Sequence, residues 1–312
     1  MLAIPKPLDR PFVLLTLTAL FWGGNAVAGR FADGFVSPMW LTFGRWSIAV
    51  VIVGWLGREA IRRDLPVMRE RWRYLALMGA TGFTLFNFML YTALHYTSAI
   101  NVAIEQSAMP LFIFALSYAL FRTRVRLVQL AGFLLTAAGV WVTATYGDIA
   151  APFRGEGPLS GFGGLNRGDL IMIFAAFAYA AYTAFLPKKP AMDPLSFLFA
   201  IMLAAWVVAL AGLGFETSMG WSLPPQGAQG WLVVLYAGIF PSILAQAFYI
   251  RGVEGIGANA AGLFINLVPV FAALLSVLVL GEALEVFHAV AFALVVGGVW
   301  LAGRGKARSS TV

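Results

Sequence analysis

Gly139-Val140-Trp141 and Gly298-Val299-Trp300 are one tripeptide written twice, 159 residues apart, each inside an apolar run. The register extends upstream from both copies. Leu135 falls on Leu294, Phe133 on Phe292, Ser117 on Ser276, Phe112 on Phe271 and Pro110 on Pro269. Earlier still, Gly79 falls on Gly238 and Trp72 on Trp231, and the first apolar runs align at an offset of 157, with Trp22 opposite Tyr179. Self-similarity held over most of a chain marks an internal duplication and makes each half one structural unit.

The composition says where those units live. Of 312 residues 61% are apolar and only 11% charged, against about 25% charged in an ordinary soluble domain. A soluble fold of this size cannot hide 26 Phe and ten Trp, so apolar surface must face lipid. The net charge of +7 does not imply nucleic acid, because the basic residues sit in short segments between apolar runs rather than on a basic, aromatic-interleaved module. The chain has no cysteine, which removes disulfides, thiolate metal sites and cysteine nucleophiles.

Spans need about 20 apolar residues. Ten candidates follow: Phe12–Phe31, Pro38–Gly57, Trp72–Leu94, Ser98–Phe121, Arg126–Thr145, Gly168–Pro187, Pro194–Gly214, Gln229–Arg251, Ile256–Leu280 and Leu284–Gly303. Ala26-Val27-Ala28 resembles a signal-peptidase site, but the first run is long enough to span and has a counterpart in the second half, so it is expected to be retained. With the N-terminus in the cytoplasm, the inside segments hold Lys6, Arg10, Arg58, Arg62, Arg63, Arg69, Arg71, Arg73, Arg122, Arg124, Arg126, Lys188, Lys189, Arg251, Arg304, Lys306 and Arg308. Outside loops hold Arg154 and Arg167 alone. The bias predicts both termini cytoplasmic.

An odd number of spans per half forces the second half to enter from the opposite side. The expected fold is therefore an all-α integral membrane protein of ten transmembrane helices in a 5+5 inverted-topology repeat, a plan common in secondary transporters. Residues 1–145 form the first repeat, 146–167 a Gly- and Pro-rich periplasmic linker, and 168–312 the second repeat. The loop Arg122-Thr123-Arg124-Val125-Arg126 has as its mate Gly281-Glu282-Ala283-Leu284-Glu285, and a change of side explains the change of sign without any functional role.

These features resemble the drug/metabolite transporter (DMT) superfamily in its EamA-type branch. The resemblance rests on the doubled five-span unit, Leu20-Phe21-Trp22-Gly23-Gly24-Asn25, the prolines Pro110 and Pro269, the Gly281-Glu282 pair and the Gly-Val-Trp endings. It covers nearly the whole chain, departing at Arg122-Thr123 where many members carry an acidic residue. Within the family it is most similar to YddG-type exporters of aromatic amino acids, which implies export.

Polar side chains inside lipid usually face a cavity or one another. Asn87, Tyr91 and His95 are spaced four apart and are expected to share one helix face. Gln246 stands at the place matching Asn87 in the second half, with Tyr249 nearby. Trp22 and Asn25 have Tyr179 and Tyr182 as mates, and Gln106 and Asn266 flank Pro110 and Pro269. All eleven are candidate substrate-binding residues around a central cavity, although each can equally serve as interhelical glue. The two prolines are expected to bend their spans. Arg45 and Glu105 each lie about seven residues from the outer end of a span, at similar depth, and are expected to pair as a structural or gating charge pair. Alternatively, they bind a substrate's carboxylate and ammonium.

The best reading is a secondary transporter exporting aromatic and other apolar amino acids and related small metabolites across the bacterial inner membrane by alternating access. Its partners are a small-molecule substrate and the lipid bilayer, without nucleic acid, cofactor or metal, and the inverted repeat lets a monomer suffice. The alternative is a multidrug or cationic-metabolite exporter of the same superfamily. A membrane enzyme is distant, because the two histidines, His95 and His288, lie far apart and no Walker motif is present. A channel of this size lacks the selectivity loops it needs.

Overall fold

The computed structural model describes residues 10–106, 109–121, 127–150, 166–256, 264 and 267–304. Asn266 and most of the linker lie outside the described residues. The helices are α1 (Pro11–Phe31), α2 (Pro38–Leu56), α3 (Arg58–Glu70), α4 (Trp72–Gly79), α5 (Phe86–Ala93), α6 (Ala99–Gln106), α7 (Met109–Phe121), α8 (Leu127–Ala144), α9 (Arg167–Phe185), α10 (Pro194–Ser218), α11 (Gly227–Ile239), α12 (Ala245–Ile256), α13 (Val268–Leu275) and α14 (Val286–Arg304). Among the described residues, six helical stretches are long and apolar enough to cross a membrane: Pro11–Phe31, Pro38–Leu56, Trp72–Ala93, Arg167–Phe185, Pro194–Ser218 and Gly227–Tyr249. Helices suit lipid because every backbone group is satisfied within the segment. Pro11, Pro38 and Pro194 begin their helices, where a missing N–H costs nothing.

Two stretches are interrupted at matching places. The helix from Trp72 to Ala93 widens into a π-helical turn at Ala80–Leu85, and the one from Gly227 to Tyr249 does so at Phe240–Leu244. A π turn leaves backbone carbonyls to other donors and often marks a functional site. Here the Pro241 carbonyl accepts from Trp22 Nε1 at 3.3 Å, and the Ala237 carbonyl accepts from Ser242 Oγ at 2.7 Å.

The packing has a mirrored order. α1 lies on α12 and α13, as α9 lies on α5 and α7. α2 meets α10 with Met39 against Gly212, Ser47 Oγ accepting from Trp206 Nε1 at 2.8 Å, and Gly54 against Phe199. As one number rises the other falls, so the two helices run antiparallel. α8 and α14 do the same. A β-carbon on Gly139 would sit 2.8 Å from the Ala291 carbonyl, and one on Gly298 would sit 2.5 Å from the Gly132 carbonyl. The repeated Gly-Val-Trp is thus a backbone-to-backbone crossing in which each glycine touches the partner of the other, and small residues are what permit it.

Pro110 and Pro269 each stand second in a described helix, α7 and α13, a first-turn place for which Pro is pre-organised; residues 107–108 and 265–266 just upstream, where the expected bends fall, lie outside the described residues. Two expectations need correction. The basic segment after α2 is not a plain loop but α3, a helix with charged residues on its exposed side and Asp64 and Met68 buried. Asp64 Oδ2 accepts from the Asp193 backbone N–H at 2.8 Å. Finally, α5 stops at Ala93, so His95 does not continue the face of Asn87 and Tyr91.

Candidate functional site

Arg45 is the centre of a closed polar cluster. It stands on α2, 3% exposed. Its Nε and Nη2 donate to Ser242 Oγ at 2.9 and 2.8 Å. Its Nη1 donates to Asn25 Oδ1 at 3.3 Å, to Asn87 Oδ1 and to the Tyr91 hydroxyl. The Tyr91 hydroxyl in turn donates to Asn25 Oδ1 at 2.9 Å, and the Asn87 amide donates to the Phe83 carbonyl at 2.7 Å. All these partners are neutral. Among the described residues no carboxylate pairs with Arg45, and one Nη2 hydrogen is left without an acceptor.

The Leu20–Asn25 segment explains how the cluster is assembled. Gly23 lets α1 cross the α13 backbone, where a β-carbon would stand 2.8 Å from Ala272 N. Gly24 makes room for the Tyr236 hydroxyl, which donates to the Phe21 carbonyl at 3.3 Å. Asn25 is thereby held, 7% exposed, against Arg45. On α5, Asn87 and Tyr91 are one turn apart and do share a face, as their spacing predicts.

Aromatic rings surround the guanidinium. It lies 4.9 Å from the Trp46 ring centre and 5.8 Å from that of Tyr91, within cation–π range. Trp46 stacks on Phe83 at 4.7 Å, Phe83 meets Tyr182 at 5.7 Å, Tyr182 meets Tyr179 at 5.3 Å, and Tyr179 meets Phe86 at 5.0 Å. Trp22 and Tyr249 face each other at 5.3 Å. They line, with Leu15, Thr18, Ala19 and Phe264, a tight crevice beside α1. Gln246, on α12, is half-buried. Trp46 Nε1 is buried without a partner.

Glu105 does not pair with Arg45, and this corrects the expected charge pair. Similar depth fixes height, not which way a side chain points round its helix. Glu105, 1% exposed on α6, instead faces Asp169 of α9, which is fully buried. No oxygen of either carboxyl has a hydrogen bond of good geometry. Thr97 lies beside Asp169, and its Oγ1 accepts from Asn101 Nδ2 at 3.1 Å. Asn101 Oδ1 meets His288 Nε2 at 3.1 Å, and His288 Nδ1 accepts from the Glu285 backbone N–H at 2.9 Å. Tyr146 contacts Thr97 Oγ1 at 3.4 Å and Asn166 Nδ2 at 2.9 Å. Burial, above all, pushes the Tyr146 phenol above its ordinary value. Gln106 follows Glu105 at the end of α6.

The same end of the bundle carries features that sequence reasoning missed. Glu282, read as a mere topological marker, accepts from the backbone N–H groups of Ala99 and Ile100 at 3.1 and 3.4 Å, capping α6. Glu216 accepts from Ser37 Oγ at 2.6 Å and Met39 N at 3.2 Å, capping α2. A carboxylate at a helix N-terminus complements the helix dipole, and an acidic residue just past an apolar run was the available signal. His95 is exposed here, its Nδ1 2.5 Å from Asp33.

Compared with known proteins, the chain matches the EamA-like transporter family model twice, over residues 10–145 and 166–304. It is 27% identical over 294 residues to the uncharacterized transporter YetK of Bacillus subtilis (strain 168), covering 93% of this chain and 86% of that one. It is 26% identical over 292 residues to the uncharacterized transporter YyaM of the same organism, covering 92% of each. A solved crystal structure matches with a TM-score of 0.65 at 23% identity, over 96% of this chain and 98% of the other; it shares the fold. Two family matches that together take in nearly all of the spans place this multi-pass membrane protein in the EamA-like transporter family, within the drug/metabolite transporter superfamily.

Proposed function

We propose that the protein exports amino acids with aromatic or other apolar side chains, and related small metabolites, across the bacterial inner membrane. The observation that carries this reading is Arg45, a buried cation whose hydrogen bonds all go to neutral groups. An uncompensated charge in a low-dielectric interior is costly, and a substrate carboxylate supplies what is missing through the free Nη2 hydrogen. The aromatic ladder from Trp46 to Phe86, with Trp22 and Tyr249, offers faces to an aromatic or apolar side chain.

In this reading the chain has ten spans as a 5+5 inverted repeat. The antiparallel crossings of α2 with α10 and α8 with α14, and the matched π turns, support it. Both termini are cytoplasmic by the distribution of Lys and Arg, so His95, Tyr146, Glu216 and Glu282 stand at the periplasmic end. The halves rock around the Arg45 cluster by alternating access. The second reading, an exporter of cationic metabolites, is favoured by the buried Glu105 and Asp169.

Uptake of labelled amino acids into liposomes holding the purified protein tests both. Saturable flux competed by aromatic analogues is expected. Flux of organic cations with none of amino acids would overturn the amino-acid reading in favour of the second.

A further inference from the structure

The Glu105–Asp169 pair is a buried polar centre that the amino-acid reading leaves unused, and its chemistry is legible from its surroundings. Two carboxyl groups from different halves meet between α6 and α9, 1% and 0% exposed. All four oxygens lack a conventional partner. Two carboxylates so placed cannot both stay ionised without a cation.

No cation reaches them among the described residues. α1 carries Arg30, which donates to the Leu94 carbonyl at 2.5 Å and lies 3.6 Å from Asp33. α5 carries Tyr91, held in the Arg45 cluster, and His95 beyond its end is paired with Asp33. α7 carries Tyr118, and α14 carries His288. α9 itself carries Arg167, which is exposed, and Tyr179 and Tyr182 in the aromatic ladder. α8, α13 and the π turn at Ala80–Leu85 contain no titratable side chain. The linker brings Tyr146, whose hydroxyl lies 3.4 Å from Thr97 Oγ1.

We propose that Glu105 and Asp169 together bind one exchangeable proton, reached from the periplasmic end through the hydroxyls of Tyr146 and Thr97, and that this proton is the counter-ion of export. On loading, a proton arriving through the Thr97 hydroxyl forms an O–H bond on one carboxyl, which donates to the other carboxylate. The pair passes from two negative charges, tolerated only while the halves hold the acids apart, to one. On release toward the cytoplasm that O–H bond breaks and the second charge returns. Each half supplies one of the two acids, so the relative position of the halves decides whether they can share the proton. The coupling to export rests on the amino-acid reading above; the proton site does not.

The test begins without substrate, on the purified protein in lipid nanodiscs. Infrared difference spectra from about pH 4 to pH 9 are expected to show the carbonyl band of a buried carboxylic acid that appears and disappears with pH. Glu105→Gln and Asp169→Asn should each abolish it. Thr97→Val, which keeps both acids, should keep the band and slow its response to a pH jump. A band that survives in both amide variants, no such band in the wild-type protein, or a response to sodium at constant pH would each overturn the site. An unchanged rate in Thr97→Val would overturn the route. A periplasm-side acid gradient across liposomes should then raise amino-acid movement severalfold in the wild type and leave Glu105→Gln unresponsive; an equal response in both would overturn the coupling. If no amino acid moves at all, the infrared result still decides the proton site, and only the substrate reading falls.

Discussion

Two buried ionic centres share one bundle and are built on opposite principles. Arg45 is surrounded by acceptors: Asn25, Asn87, Tyr91 and Ser242 converge on it from three other elements. Glu105 and Asp169 have each other and no good donor. A charge wrapped in neutral hydrogen bonds is fixed in its state, and the interior is organised around it. A pair of acids left unfinished is a place where the state changes. The contrast separates a residue that holds something from residues that exchange something.

The strongest way to break that contrast is to remove the fixed charge. Arg45→Met is expected to cut transport by about 100-fold, equivalent to roughly 2.7 kcal/mol, and to lower the thermal unfolding temperature. Asn87 Oδ1 is then left in the interior without its donor, which costs about 1–3 kcal/mol. Arg45→Lys should recover little, because an ammonium cannot present the guanidinium fork. Flux in liposomes and unfolding in detergent check both, and near-normal transport in either variant would refute the central role of Arg45.

The double change Glu105→Gln with Asp169→Asn sharpens the contrast from the other side. Amides can donate to one another where carboxylates cannot, so thermal stability should hold or rise, most clearly at alkaline pH. A loss comparable to that of Arg45→Met would mean that the acids are structural. The smallest effect is expected at Asp64, near the surface. The Asp193 backbone N–H, more than nearby Arg63, holds its carboxyl below the ordinary value. A depressed value in the folded state means that its stabilisation is present above the unfolded carboxylate range and fades as pH falls through the folded one. Asp64→Asn should therefore flatten the acid limb of a stability profile slightly and leave neutral pH almost unchanged.

Much of the architecture was legible because lipid imposes a long apolar run on each span, and because the repeat provides its own ruler. The ends of α1 and α2 fall within a residue or so of their sequence boundaries. The shared face of Asn87 and Tyr91 was equally legible, since helical spacing alone produces it. The Arg45 partners were not. Residue counting gives depth in the membrane, but rotation about the helix axis is set by packing, here by Gly23 and Gly24 drawing α1 against its neighbours. Asp169 escaped notice because it stands three residues into its helix, where a charge reads as a flank. α3 was hidden in a basic segment whose charge already had a topological explanation.

The crossing of α8 and α14 bears on how the two halves are joined. Gly139 meets the segment around Ala291 and Val295, and Gly298 meets the same segment one repeat earlier, around Gly132 and Thr136. A surface that binds its own upside-down copy needs no separate partner. A unit that presents this glycine face can bind an antiparallel copy of itself, and a chain that matches one family model twice joins two such faces by tethering them. Away from that seam the halves differ, the first supplying Arg45, Asn25, Asn87 and Tyr91 to one cluster and the second adding Ser242 to it.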